Sequence, residues 1–239
     1  MPPAGPFPLT RRSLLLEVAS DDPQIRRQAF DDLVRSYWPA VYKYLRLKHG
    51  TSPEDAEDLT QGFFVFALEK GFLERFDAVK ARFRTYLRTC LDRYAANEHK
   101  AAHRLKRGGG AQLLPLDFQT AEGELQERPL ADDLDLEEYF HREWVRTLFT
   151  LAVEDLRQQC EAEGKHVHFQ LFERYDLEGG ASYKELAEEF HLPVTQITNH
   201  LAFARRTLRR HVLERLRATT GSDAEFRTEA RDVLGVDPA

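Results

Sequence analysis

Phe30, Leu33, Val34, Tyr37, Val41, Tyr44 and Leu45 recur at three- and four-residue steps, the spacing of one face of an α-helix. That period returns along most of the chain. Alternation of β-branched residues over strand lengths is absent, so the pattern predicts an all-α protein. "SLLLEVAS" and "IRRQAFDDLVRSYWPAVYKYLRLKHG" read as opening helices, and Gly50 closes the second. "TSPEDAED" starts another, with Ser52 as N-cap, Pro53 at the first helical position and Asp55 three residues after the cap. On this helix Ala56, Leu59, Phe63, Phe66 and Ala67 are predicted to share the buried face. Glu54, Glu57, Asp58 and Gln61 fall opposite, with Val65 apolar among them. "GFLERFDAVKAR" reads as a loop or broken turn. "FRTYLRTCLDRYAANEHKAAHRLKR" reads as a long basic helix burying Phe83, Leu87, Leu91 and Tyr94.

The period breaks at "GGGAQ", residues 108–112, where three consecutive glycines cost too much backbone entropy to extend a helix. From there to about Glu138 the chain is acidic, interrupted by Pro and without helical periodicity, which predicts a flexible linker. A second helical unit follows, from "REWVRTLFTLAVEDLRQQCEAEG" through "HFQLFERYDLEGG" to two closing helices. The expected division is therefore a first helical domain at 10–108, a linker at 109–138, a second domain at 139–218 and an extension at 219–239.

Charge changes this picture. The 239 residues carry a formal net charge of −6, which taken alone argues against a nucleic-acid partner. The distribution argues the other way. Ala81–Arg107 holds eight Lys or Arg against Asp92 and Glu98, a local balance of +6, and His191–Arg217 has a balance of +5. Between them Asp117–Tyr139 stands at −8. Two basic islands joined by an acidic tether suggest two nucleic-acid contacts. The longest apolar runs are too short to cross a bilayer, and no secretion signal is expected in "MPPAGPFPLTRRS", so the chain reads as cytoplasmic. Cys90 and Cys160 stand apart from each other and from any ligand-spaced partner, so neither a disulfide framework nor a zinc site is expected.

"SYKELAEEFHLPVTQITNHLAFARR" has the form of a helix-turn-helix. A short helix capped by Ser182, with Glu185 three residues on, leads through Phe190-His191-Leu192 to a helix starting at Pro193 or Val194. Turning Ile197, Leu201, Ala204 and Leu208 inward places Thr195, Thr198, Asn199, Ala202, Arg206 and Arg209 outward. Short hydrogen-bonding groups, with Gln196 beside them, then lie where base edges would be. Arg205, Arg206 and Arg209 lie where phosphates would be. His191 holds the turn position usually given to Gly and must accept an unusual backbone angle or alter the turn.

"DAEDLTQGFF", the basic helix from "FRTYL" to "NEHKAAHR", the linker and the helix-turn-helix together resemble a bacterial sigma factor of the sigma-70 family, over roughly residues 10 to 235. The closer likeness is to the small extracytoplasmic-function type, which keeps regions 2 and 4. The resemblance implies that the first domain is region 2 and that its acidic helix docks on core RNA polymerase through Asp55, Glu57, Asp58, Leu59 and Gln61. The family's Glu after the Gln is Gly62 here. It further implies that the loop and basic helix capture the −10 promoter element. Phe76, Phe83 and Tyr86 are candidates for stacking on bases, and Arg82, Arg84, Arg88, Arg93, Lys100 and Arg104 for phosphates. Spacing with Leu87 also fits Phe83 to the core. Thr89 and Cys90 replace the tryptophan pair of primary sigma factors, which implies modest strand opening. The second domain is implied to be region 4, reading the −35 element, and the linker to thread toward the polymerase active-site and RNA-exit channels.

No Gly-rich phosphate loop, nucleophile elbow or His-Glu-x-x-His pattern accompanies the acidic residues, and helical geometry scatters them, so neither an enzyme nor a cofactor is expected. The rival reading is a helix-turn-helix regulator that binds DNA without polymerase. Candidate regulators are an anti-sigma factor, a kinase acting on Thr60 inside the motif, and the C-terminal extension.

Overall fold

The computed structural model describes residues 14–101, 114–127 and 134–235, which are helical and contain no strand. The elements are α1 (Leu14–Glu17), α2 (Pro23–His49), α3 (Pro53–Lys70), a 3-10 turn at Leu73–Arg75, α4 (Phe83–Ala101) and α5 (Phe118–Gln126). They continue with α6 (Leu136–Ala162), α7 (His166–Phe172), a π turn at Glu173–Leu177, α8 (Tyr183–Glu189), α9 (Val194–Ala218) and α10 (Asp223–Leu234). The glycine run at 108–112 lies outside the described residues.

Local chemistry sets most of the boundaries. The Asp22 carboxylate accepts from the Gln24 amide at 2.8 Å to open α2, and Gly50 ends it in the left-handed region at φ 58°. Ser52 accepts from the Asp55 amide at 3.1 Å, Pro53 follows, and Gly71 closes α3. Ser182 and Glu185 form a reciprocal capping box on α8. His191 takes a left-handed conformation, with φ 53°. Leu192 N–H then reaches back to the Ala187 carbonyl at 3.0 Å, closing α8 in a Schellman arrangement. A side chain with a Cβ costs about 1–2 kcal/mol there. His191→Gly is therefore expected to stabilise the chain by about 1 kcal/mol in a urea titration.

Two compact units emerge. The described residues of Met1–Thr147 and Leu216–Ala239 form one, and Leu148–Arg215 the other. This differs from the division expected from the glycine run and the acidic stretch. The segment after Asp117 is not a free tether, because α5 forms and packs Phe118 and Ala121 against Tyr42 and Ala56. Its carboxylates hold it there: Glu122 takes a hydrogen bond from Arg46 at 2.7 Å and from the Tyr42 hydroxyl at 2.8 Å. The Arg46 guanidinium, aided by that hydroxyl, holds Glu122 at about 2, well below the usual 4.5. The extension from 219 likewise belongs to the first unit through α10.

In the first unit Tyr37 stacks on Trp144 at 5.9 Å and meets the edge of Phe83 at 5.5 Å, joining α2, α6 and α4. From Ala40 to Leu45 every residue of α2 is buried, including Lys43. On α3 the buried stripe is Ala56, Thr60, Phe63, Phe64 and Ala67. The face sits one residue round from the expected one: Phe66 is 36 % exposed and Leu59 half-buried. The steps 56-60-63-67 follow 3.6 residues per turn more closely than a stripe through 59 and 66. In the second unit Leu156, Cys160, Phe169, Leu171, Phe172, Leu186, Ile197, Leu201 and Ala204 make the core, with Ala187 and Leu208 packed against it.

Candidate functional site

Three surfaces carry the candidate chemistry. On α3 the cap orients the first, since its hydroxyl fixes the start of the helix and therefore which residues face outward. Asp58 and Gln61 are exposed and make no hydrogen bond or ion pair among the described residues. Asp55 is exposed but spoken for, taking a 3.0 Å hydrogen bond from the Ser52 hydroxyl that completes the cap. Glu57 and Leu59 are half-buried. A Cβ on Gly62 would run into the Tyr94 hydroxyl, so any larger residue there requires that ring to shift. Thr60 is fully buried, and its hydroxyl has no hydrogen-bond partner among the described residues.

The second surface is the beginning of α4, and here the structure departs from expectation. Phe83 is fully buried. Phe76 packs on it at 5.1 Å and on Tyr86 at 5.4 Å. The Tyr86 hydroxyl donates to the Phe72 carbonyl at 2.7 Å. Arg88 pairs with Glu137 at 2.8 Å. Arg84 lies over the Trp144 ring at 5.7 Å and pairs with Glu229. Arg82 pairs with Asp232 at 3.2 Å and approaches Glu229 at 3.4 Å. Of the predicted −10 set, Arg93 is exposed to solvent among the described side chains and Arg82 partly so. The Lys100 side chain and all of Arg104 lie outside the described residues.

Three acids of α10 therefore meet the basic helix, and neither charge counting nor spacing along α4 identifies them. Glu225 is the most informative. Its carboxylate accepts from the Phe83 amide at 2.7 Å and from the Gly221 amide at 2.8 Å, so a distant segment satisfies the first amide of α4. The one available signal was the spacing of Glu225, Glu229 and Asp232, which places three acids on one face of an amphipathic helix.

The third surface is α9. Thr195, Gln196, Thr198 and Asn199 are exposed at its start, although the Thr198 hydroxyl bonds back to the Val194 carbonyl at 3.0 Å. The arginines divide into two groups. Arg205 makes a two-pronged contact with Asp176, at 3.0 and 2.8 Å, over the Tyr175 ring, and that carboxylate raises its pKa further. Arg210 pairs with Glu214, Arg215 with Asp155 and Arg217 with Asp223. Arg206 and Arg209 are exposed with no ion pair among the described residues. Most of the basic charge on α9 is thus matched inside the protein, and two cations remain for a ligand. Arg205 is a brace for the π turn, not a free phosphate contact.

Among the described residues no three His, Cys, Asp or Glu side chains gather as a metal site, and no helix is long and apolar enough to cross a membrane. Compared with known families, residues 33–105 match sigma-70 region 2. No curated protein and no solved structure matches the chain.

Proposed function

We propose that this chain, whose residues 33–105 match sigma-70 region 2 and support a sigma-70 family sigma factor, is an alternative sigma factor of the extracytoplasmic-function type. The observation that carries the reading is where that match falls. It contains α3, whose exposed Asp58 and Gln61 are uncommitted, and α4, the basic helix. Core RNA polymerase is the partner proposed for the α3 face, with Glu57 and Leu59 at its margin and Asp55 shaping the helix start. Promoter DNA is the partner proposed for α4 at the −10 element and for α9 at the −35 element.

On α9, Thr195, Gln196 and Asn199 stand at the N-terminal end, as a recognition helix presents its base-reading groups, and Arg206 and Arg209 follow where a duplex backbone passes. Each phosphate contact adds about 0.9 to the slope of log affinity against log salt. Replacing Arg206 and Arg209 by Ala is therefore expected to lower that slope by about 2 on a −35 duplex, measured with polymerase present. Arg205→Ala is expected to leave the slope nearly unchanged and to lower the melting temperature, because Arg205 holds Asp176.

Transcription in vitro with core polymerase and genomic promoter fragments tests the whole reading. The chain is expected to bind promoter DNA weakly alone and to direct initiation once core enzyme is added. Specific binding to an operator without polymerase, and no initiation with it, would instead identify a helix-turn-helix regulator.

A further inference from the structure

We infer that α10 is a built-in competitor for promoter DNA, its carboxylates standing where backbone phosphates would bind at the start of α4. This rests on the proposed −10 role of α4. Glu225, Glu229 and Asp232 share one face of α10 and meet the Phe83 amide, Arg84 and Arg82. Those are the groups that suit a phosphodiester: two guanidinium ions beside a helix N-terminus. The strap before α10 closes over a candidate stacking residue as well. A Cβ on Gly221 would come within 2.5 Å of the Phe76 ring, so the chain passes directly against that ring.

The manner of docking separates a displaceable cover from an ordinary core helix. The buried residues of α10 are Glu225, Glu229 and Ala230, two carboxylates and one methyl group. Phe226, Val233 and Leu234 are half-buried, but the contacts of α10 with Arg82, Phe83 and Arg84 are ionic and hydrogen-bonded, which a competing polyanion replaces contact for contact. An apolar seam would offer DNA nothing to replace. Asp232 and Arg82, partly exposed at 42 % and 38 %, form the end of the interface at which exchange would begin.

The test is hydrogen exchange on the full chain, free, with a single-stranded oligodeoxynucleotide, and with core polymerase on forked promoter DNA. The amides of α10 are expected to lose protection as either DNA binds, while those of α4 keep theirs. In parallel, Glu229→Gln and the milder Asp232→Asn are expected to raise affinity for the oligonucleotide, by about threefold for the exposed pair. Adding Arg84→Gln should cancel the gain from Glu229→Gln. Asp232 is exposed enough for its variant to fold even if Glu229→Gln does not. Full α10 protection in the presence of bound DNA, or no affinity gain in Asp232→Asn, would make α10 a permanent part of the domain and overturn the inference. Failure to bind core polymerase would remove the sigma-factor reading, while the oligonucleotide experiment would still decide the competition.

Discussion

Replacing Lys43 by Met is expected to destabilise the first unit by about 3–5 kcal/mol, the usual loss when one member of a buried ion pair is removed. Lys43 is 1 % exposed, and its ammonium lies 2.7 Å from Glu143 on α6 and 2.5 Å from Glu124 on α5. It therefore ties three helices through one charge. Removing it strips Glu143, 3 % exposed, of its buried cation, while the pairing with Arg146 on the same helix stays. The methylene stem is preserved by Met, so the loss reports the charge and not the packing. Replacing Glu143 by Leu in the same chain should recover part of the stability, because the buried carboxylate that Lys43 served is then gone. Urea titration followed by circular dichroism measures both. A loss under about 1 kcal/mol in the single variant would mean that water reaches Glu143.

The second large effect is functional. Asp58→Ala with Gln61→Ala is expected to weaken binding to core polymerase by about 30-fold or more, as removal of central interface contacts commonly does. Neither side chain supports the fold, since both are exposed and make no hydrogen bond or ion pair among the described residues. Asp55→Ala is the informative contrast. It removes the reciprocal side of the Ser52 cap, so it is expected to cost about 1 kcal/mol of stability and much less affinity. A competition titration against a labelled wild-type chain separates the two.

What the sequence revealed divides along a physical line. Caps and turns were legible because their chemistry is confined to a few residues. Ser52-Pro53, the Ser182–Glu185 box and Gly50 each do what their spacing predicts, and His191 adopts the strained turn geometry that its position demands. The inward positions of α9 were legible for the same reason, since helical period alone turns Ile197, Leu201 and Ala204 to the core. Charge was the misleading signal. Counting acids between residues 117 and 139 suggested repulsion and a free linker, yet Glu122 and Glu124 find Arg46 and Lys43 some eighty residues earlier. Arg82 and Arg84 looked available until Glu229 and Asp232 arrived from the far end of the chain. Whether an exposed charge is free depends on tertiary partners, and a one-dimensional pattern does not hold them. Lys43 left only a faint mark, a lone cation inside a stretch of α2 that is otherwise suited to burial on all sides.

The proposed reading gives the uncommitted face of α3 one partner, core RNA polymerase, which makes physical association the most direct test. The purified full chain, mixed with bacterial core RNA polymerase, should co-migrate with it on size exclusion, and the Asp58→Ala/Gln61→Ala chain should not. A wild-type chain that elutes apart from core enzyme yet footprints an operator unaided would contradict the account.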